Sequence, residues 1–170
     1  MTILLDGPLS WRQVEAVARG ERLELCAAPW ARIADAAARV ATLVARGDRA
    51  YGITTGVGAL SECVVDRASQ AQLSRNLVLS HACGVGPPLD DQSVRAIIAA
   101  QVNNFAHGCS GVRPLVVELL LTLLDRGATP VVPSLGSAGY LTHSAHIAST
   151  VIGEGCLRLE GETLVSGVAL

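Results

Sequence analysis

Val112 to Gly127 reads VRPLVVELLLTLLDRG, and its reading decides the fold. Pro114 suits the first helical position, where its fixed φ matches the helix and its missing N–H is not needed. Gly127 suits the stop. Between them apolar residues fall on nearly every face, with Glu118 and Thr122 interrupting Leu115–Leu124. The spacing predicts a helix buried all round, too short to span a bilayer.

Working outward, the same signals repeat. Asp90 or Asp91 caps a helix through Ala106, with His107 as a capping residue before the stop at Gly108. Asp66 caps a helix to about Cys83, broken by Gly84, Gly86, Pro87 and Pro88. Ser10-Trp11-Arg12-Gln13 has the capping-box pattern and opens a short helix to Ala18. Arg22–Cys26 reads as a short strand, and Pro29 opens a helix stopped by Gly47. Downstream, a helix runs from Leu141 to about Ile152, and LRLEGETLV reads as a hairpin turning at Glu160-Gly161. No repeat, low-complexity tract or linker divides the chain. Residues 1–170 therefore read as a single, mostly α domain with two glycine-rich loops and a short C-terminal β-hairpin.

Composition narrows the function. Half of the residues are hydrophobic and only 3% are aromatic, so the core must be built from Leu, Val, Ile and Ala. A mean hydropathy of +0.42 implies burial in an oligomer or exposed apolar patches. The net charge is −2 without a basic cluster, which argues against nucleic acid. All 13 basic residues are arginine, so no lysine can form a Schiff base. The N-terminus shows no basic segment followed by a long apolar run, so a cytoplasmic chain without a membrane segment is expected. The cysteines, Cys26, Cys63, Cys83, Cys109 and Cys156, are odd in number and dispersed. They read as reduced thiols serving as small core residues.

Two stretches carry candidate chemistry. In YGITTGVG, Tyr51–Gly58, the glycines at 52, 56 and 58 let the backbone approach a ligand closely. Gly58 is thus a substrate-binding candidate. Tyr51 stands at the loop's entrance, and a phenol is a useful base only where neighbouring donors or positive charge stabilise the phenolate. No Gly-Lys-Ser/Thr follows, so this is not a phosphate loop. In NLVLSHACGVG, Asn76–Gly86, His81 ends an apolar helix before a glycine-rich break. It reads either as a capping histidine or as a site residue.

Together with VRAIIAAQVNNFAHGCSGVRPLVVELLLTLLDRGATPVVPSLGSAG and AHIASTVIGEG, these stretches resemble the histidine and aromatic amino-acid ammonia-lyases in order and spacing, from about Leu9 onward. The histidine branch looks most similar. The resemblance implies that Tyr51 is a catalytic acid/base near the substrate's β-carbon and that His81 serves the substrate and the electrophile's surroundings. It also implies a tetrameric assembly with active sites shared among subunits. In that family a Gly-Ser-Val-Gly-Ala-Ser-Gly-Asp-Leu stretch supplies an Ala-Ser-Gly that cyclises and dehydrates to a methylidene-imidazolone, the electrophile for ammonia loss.

Here the stretch reads Gly136-Ser137-Ala138-Gly139-Tyr140-Leu141, three residues shorter and without that triad. Ser-Ala-Gly is not Ala-Ser-Gly, so the triad is not simply moved. The resemblance further implies that the family's substrate-side Asn, second Tyr, Arg and Glu lie beyond the stretch matched here. Tyr140 either fills the space left by the deletion or faces Tyr51 as a second phenol. His143 and His146 share a helical face without a convincing third metal ligand, so no metal is expected. His146 reads as a hydrogen-bonded structural residue, His143 as a structural or substrate-binding one.

The expected function is a stand-alone lyase-like enzyme without the electrophile or any other cofactor. It would use Tyr51 and His81 as acid–base groups and Gly58, Tyr140 and His143 to hold a small molecule, such as a carrier-bound acyl or amino-acid derivative. Isomerisation, conjugate addition, cyclisation and elimination all fit, as does a place in specialised metabolism. The alternative is a non-catalytic pseudoenzyme or oligomerising partner subunit of a larger lyase-like complex. A split lyase completed by a second chain is a further option. A homo-oligomer is expected.

Overall fold

A computed structural model describes residues 1–137, 139 and 141–169. The elements in chain order are β1 (Thr2–Leu5), α1 (Trp11–Ala18), β2 (Arg22–Leu25), α2 (Ala27–Arg46), α3 (Gln70–His81) and β3 (Val85–Pro88). There follow α4 (Asp91–Ala106), α5 (Pro114–Arg126), β4 (Thr129–Pro130), β5 (Pro133–Leu135), α6 (Leu141–Val151), β6 (Cys156–Leu159), β7 (Glu162–Val165) and α7 (Ser166–Ala169). The fold is mostly α, as the helix signals imply.

The caps explain the boundaries. Ser10 Oγ accepts from the Gln13 amide while the Ser10 amide donates to Gln13 Oε1, so the capping box at α1 forms. Asp90 Oδ1 accepts from the Ser93 amide at the start of α4, and these bonds hold the Asp90 carboxyl below its ordinary pKa. Gly47 and Gly127 take left-handed φ of 71° and 63° after α2 and α5, where a side chain would be strained. α2 begins two residues before Pro29, because Ala27 and Ala28 already hold helical geometry. Asp66 instead closes a turn onto Ser69, so α3 starts later than the aspartate suggests.

The core gathers around α4, whose Val94, Ile98, Ala99, Val102 and Ala106 are buried. Against it pack Val17 of α1, Ile33 of α2, Leu123 of α5 and Ile147 of α6. Two expectations need correction. α5 is not buried all round: Val117, Leu120, Leu123 and Leu124 face inward, while Leu115 is 51% exposed. Nor are the cysteines core residues: Cys63, Cys83, Cys109 and Cys156 are exposed and Cys26 is half-buried. Each stands in or beside a loop, strand or helix end, away from the inward helix faces.

Short strands tie the helices together. β1 and β2 pair in parallel across α1, and β4, β6 and β7 form an antiparallel sheet in that order. The hairpin turns at Glu160 and Gly161, both with positive φ (52° and 85°), as a two-residue primed turn requires. β3 pairs antiparallel with β5, tying the segment after α3 to the segment before α6. Among the described residues, no helix is long and apolar enough to cross a membrane.

Arg95 of α4 joins two helix ends. Its Nε and Nη2 donate to the Val17 carbonyl at 3.2 and 3.0 Å, and its Nη1 to the Leu124 carbonyl at 2.9 Å. Burial pulls the guanidinium's pKa downward against the favourable charges of Asp125 and Asp91. An arginine this basic nevertheless stays charged.

Candidate active site

The Tyr51 loop is a closed ring of local hydrogen bonds. Thr54 Oγ1 accepts from the Ala50 amide and donates to the Asp48 carbonyl, both at 2.8 Å. Thr55 Oγ1 donates to the Gly56 carbonyl at 3.0 Å. Both threonines are buried, so their hydroxyls find partners within the loop itself. The Gly56 amide donates to the Cys63 carbonyl, and the Val65 amide to the Thr54 carbonyl. A Cβ on Gly56 would stand 2.6 Å from the Leu60 carbonyl oxygen. That glycine is therefore required by close backbone approach rather than by a turn.

The ring ends on the phenol. The Gly58 amide donates to Tyr51 Oη at 3.0 Å. Gly58 itself has φ 56° and begins a single 3-10 turn, Gly58–Leu60. The Tyr51 side chain is 66% exposed.

α3 supplies the opposite wall. His81 Nδ1 lies 2.8 Å from the Leu77 carbonyl. A carbonyl only accepts, so Nδ1 carries the proton, and in the neutral ring Nε2 is left with its lone pair free for a ligand. Ser80 Oγ sits 3.2 Å from the same Nδ1 and steadies the ring.

Tyr51, Gly58 and His81 line one open cleft of about 590 Å³, floored by Leu77 and Val78 of α3 and closed on the far side by Leu141, Ser144, Ala145 and Ala148 of α6. Its size matches small-molecule sites. Three of the sequence-derived candidates thus meet. His143 does not line this cleft; its Nε2 is enclosed without a hydrogen-bond partner among the described residues. Tyr140 lies outside the described residues. Ser144 was missed, because only the packing of α3 against α6 brings it to the cleft.

His146 has a structural place. The Gly84 amide donates to its Nε2 at 3.0 Å, linking α6 to the break after α3. Burial lowers its pKa, and the neighbouring His143 lowers it further. Neutral His146 is the form that accepts this bond. Among the described residues, no group of three or more His, Cys, Asp and Glu is placed to hold a metal ion.

The segment before α6 is anchored by serine. The Thr142 amide donates to Ser137 Oγ at 3.2 Å, and that hydroxyl donates to the Gly139 carbonyl at 3.0 Å. Ser137 therefore serves the helix start.

Comparison with known proteins agrees with this architecture. The aromatic amino acid lyase family model matches residues 9–170. Histidine ammonia-lyase of Sorangium cellulosum is 45% identical over 175 aligned residues, covering 99% of this chain and 34% of that protein. Histidine ammonia-lyase of Treponema denticola is 43% identical, covering 95% and 33%. Among solved structures, tyrosine aminomutase from Streptomyces globisporus superimposes with a TM-score of 0.94 at 34% identity, over 100% of this chain and 33% of that one. Histidine ammonia-lyase from Trypanosoma cruzi does so with a TM-score of 0.91 at 30% identity, over 100% and 34%. The chain spans about a third of the length of the curated relatives it matches. On the family match and these likenesses together, the chain belongs to the aromatic amino acid lyase family.

Proposed function

We propose that this chain supplies the acid–base wall of a lyase-like site that works without a self-made electrophile. The observation that carries the reading is the shared cleft of Tyr51, Gly58 and His81. The residues present do not fit the methylidene-imidazolone. That ring needs Ala-Ser-Gly in this order, and the sequence between Gly136 and Leu141 offers Ser-Ala-Gly. The one serine there is engaged at both its donor and acceptor sides by Gly139 and Thr142.

Proton transfer remains available. Tyr51 delivers or takes a proton through Oη, and the Gly58 amide is aimed at the oxygen that carries charge once the proton has left. His81, held through Nδ1, presents Nε2 as the second acid–base or hydrogen-bonding group. Reactions needing a proton moved beside an activated carbonyl fit: isomerisation, conjugate addition, cyclisation or elimination of a leaving group better than ammonia. Small-molecule substrates and a homo-oligomeric assembly belong to this reading.

The test is solvent deuterium exchange into urocanate, cinnamate and acyl thioesters, followed by mass spectrometry. Tyr51→Phe is expected to lower exchange by about 10²–10⁴-fold, the usual worth of a positioned acid or base. Equal exchange in wild type and Tyr51→Phe would sink the acid–base reading. Free histidine, phenylalanine and tyrosine are expected to release no ammonium in a coupled assay.

A second reading is a non-catalytic partner subunit, favoured by the 66% exposure of Tyr51 and the open cleft. In that case exchange stays at background for every variant, while the chain binds a larger lyase-like protein.

A further inference from the structure

α3 borders a second open cleft, of about 610 Å³, shared with α2 and the loop before α5. Its size suits a small molecule. Gln70, Ala71, Ser74, Arg75 and Val78 form the α3 wall, a stripe at helical spacings of three and four. Leu77 and His81 line the Tyr51 cleft instead. Val40 and Val44 of α2, Ile53 of the Tyr51 loop and Ile152 after α6 complete an apolar surface with Val78.

Two arginines line this cleft, and among the described residues no Asp or Glu does. Arg75 is neutralised by an ion pair with Glu154. Arg113 is exposed, and the ion pairs of the described residues leave it without an acidic partner. Its side chain does not turn back to cap α5 either. The other polar groups are occupied: Ser74 Oγ donates to the Gln70 carbonyl at 3.0 Å, and Gln70 Nε2 to the Val65 carbonyl at 3.5 Å. Gly111 brings Arg113 to this place. At φ 67° it lies so near α2 that a Cβ would stand 2.3 Å from Val40 Cγ2. The cleft thus carries one uncompensated positive charge beside branched aliphatic surface.

A cation would be repelled there, and a dianion would bring one charge too many. A guanidinium fork matches a carboxylate with two parallel hydrogen bonds. We propose that this cleft binds an aliphatic monocarboxylate, its carboxylate on Arg113 and its chain against Val40, Val44, Ile53 and Val78. The proposal goes beyond the acid–base reading and does not depend on it. A ligand so placed ties α2 and the Arg113 loop to α3, the helix that presents His81 and buries no residue completely. An element with so little burial opens at low cost, and a ligand bridging it to its neighbours slows that opening.

The experiment titrates the whole 170-residue chain with octanoate and with octanamide, its neutral counterpart, in isothermal titration calorimetry. Saturable octanoate binding is expected, with octanamide weaker by about tenfold or more, the worth of a charge-assisted hydrogen bond. Raising NaCl from about 20 to about 500 mM should weaken octanoate and spare octanamide. Arg113→Gln should raise the octanoate Kd about tenfold or more, and Val44→Trp, filling the cleft, should abolish binding. His81→Gln should keep full affinity, since His81 lines the other cleft. Saturating octanoate should slow hydrogen–deuterium exchange along α3 in wild type.

The octanamide and salt comparisons use the wild-type chain, so they decide the matter whatever Arg113→Gln does to folding. No saturable octanoate binding, equal affinity for octanoate and octanamide, wild-type affinity in Arg113→Gln, or unchanged α3 exchange overturns the proposal. Weakening by His81→Gln places octanoate in the Tyr51 cleft and overturns it too. The acid–base reading stands or falls on isotope incorporation by Tyr51→Phe, which octanoate affinity leaves untouched.

Discussion

At the scale of single residues, the neutral state of His146 links stability to pH. Its Nε2 accepts from the Gly84 amide, and burial with the nearby His143 holds its pKa below the ordinary histidine value. The unfolded chain takes up this proton near about pH 6.5, whereas the folded chain does so only at lower pH. The stabilisation is therefore complete above that value and is lost as pH falls through the folded one. Melting temperature measured between pH 8 and 5 should fall on the acid side. His146→Gln, which keeps an acceptor without the proton, should flatten this dependence; an unchanged slope would remove His146 as its source. Gly56 carries a second prediction. An alanine there would push its Cβ to 2.6 Å from the Leu60 carbonyl and 2.7 Å from Leu60 Cβ. Gly56→Ala should cost about 1–3 kcal/mol in urea denaturation, as other overpacked sites do.

At the scale of elements, α5 shows how far periodicity goes. Leu123 is fully buried and Leu115 is 51% exposed, although both lie in one apolar run. Leu123→Ala should cost about 2–5 kcal/mol, and Leu115→Ala no more than about 0.5 kcal/mol. Similar losses at both positions would restore the all-round burial that the run suggests. The same contrast marks what was legible in the sequence. Helices announced by a cap or a stop, such as Ser10 with Gln13, Asp90, Gly47 and Gly127, stand where those residues place them. The Glu160-Gly161 hairpin likewise follows from local turn chemistry.

Elements that exist only through distant partners were not legible. β1 needs β2 across an intervening helix. β3 and β5 pair although each contains proline. The site divides in the same way. Tyr51, Gly58 and His81 were visible as residues of a loop and a helix end. Ser144 acquires meaning only once α3 lies along α6.

At the scale of the whole molecule, the apolar excess has visible outlets. Val85 and Leu135 face each other on the β3–β5 ribbon, and both are exposed. α3 buries no residue completely. Such surface favours association. Native mass spectrometry is expected to give multiples of 17.6 kDa at micromolar concentration; a strictly monomeric chain would contradict this. Urea unfolding followed by circular dichroism and by fluorescence of Trp11 and Trp30 should give coincident curves if residues 1–170 form one cooperative unit.

The guanidinium of Arg95 touches the last turns of α1 and α5 at once. Neither turn can fray without stranding donors that the other still holds. Amide protons at these two ends, remote in the chain, should therefore swap with solvent deuterium on a common clock, set by one shared opening event. Arg95→Lys, with a single ammonium too small to reach both carbonyls, would let the two clocks run apart.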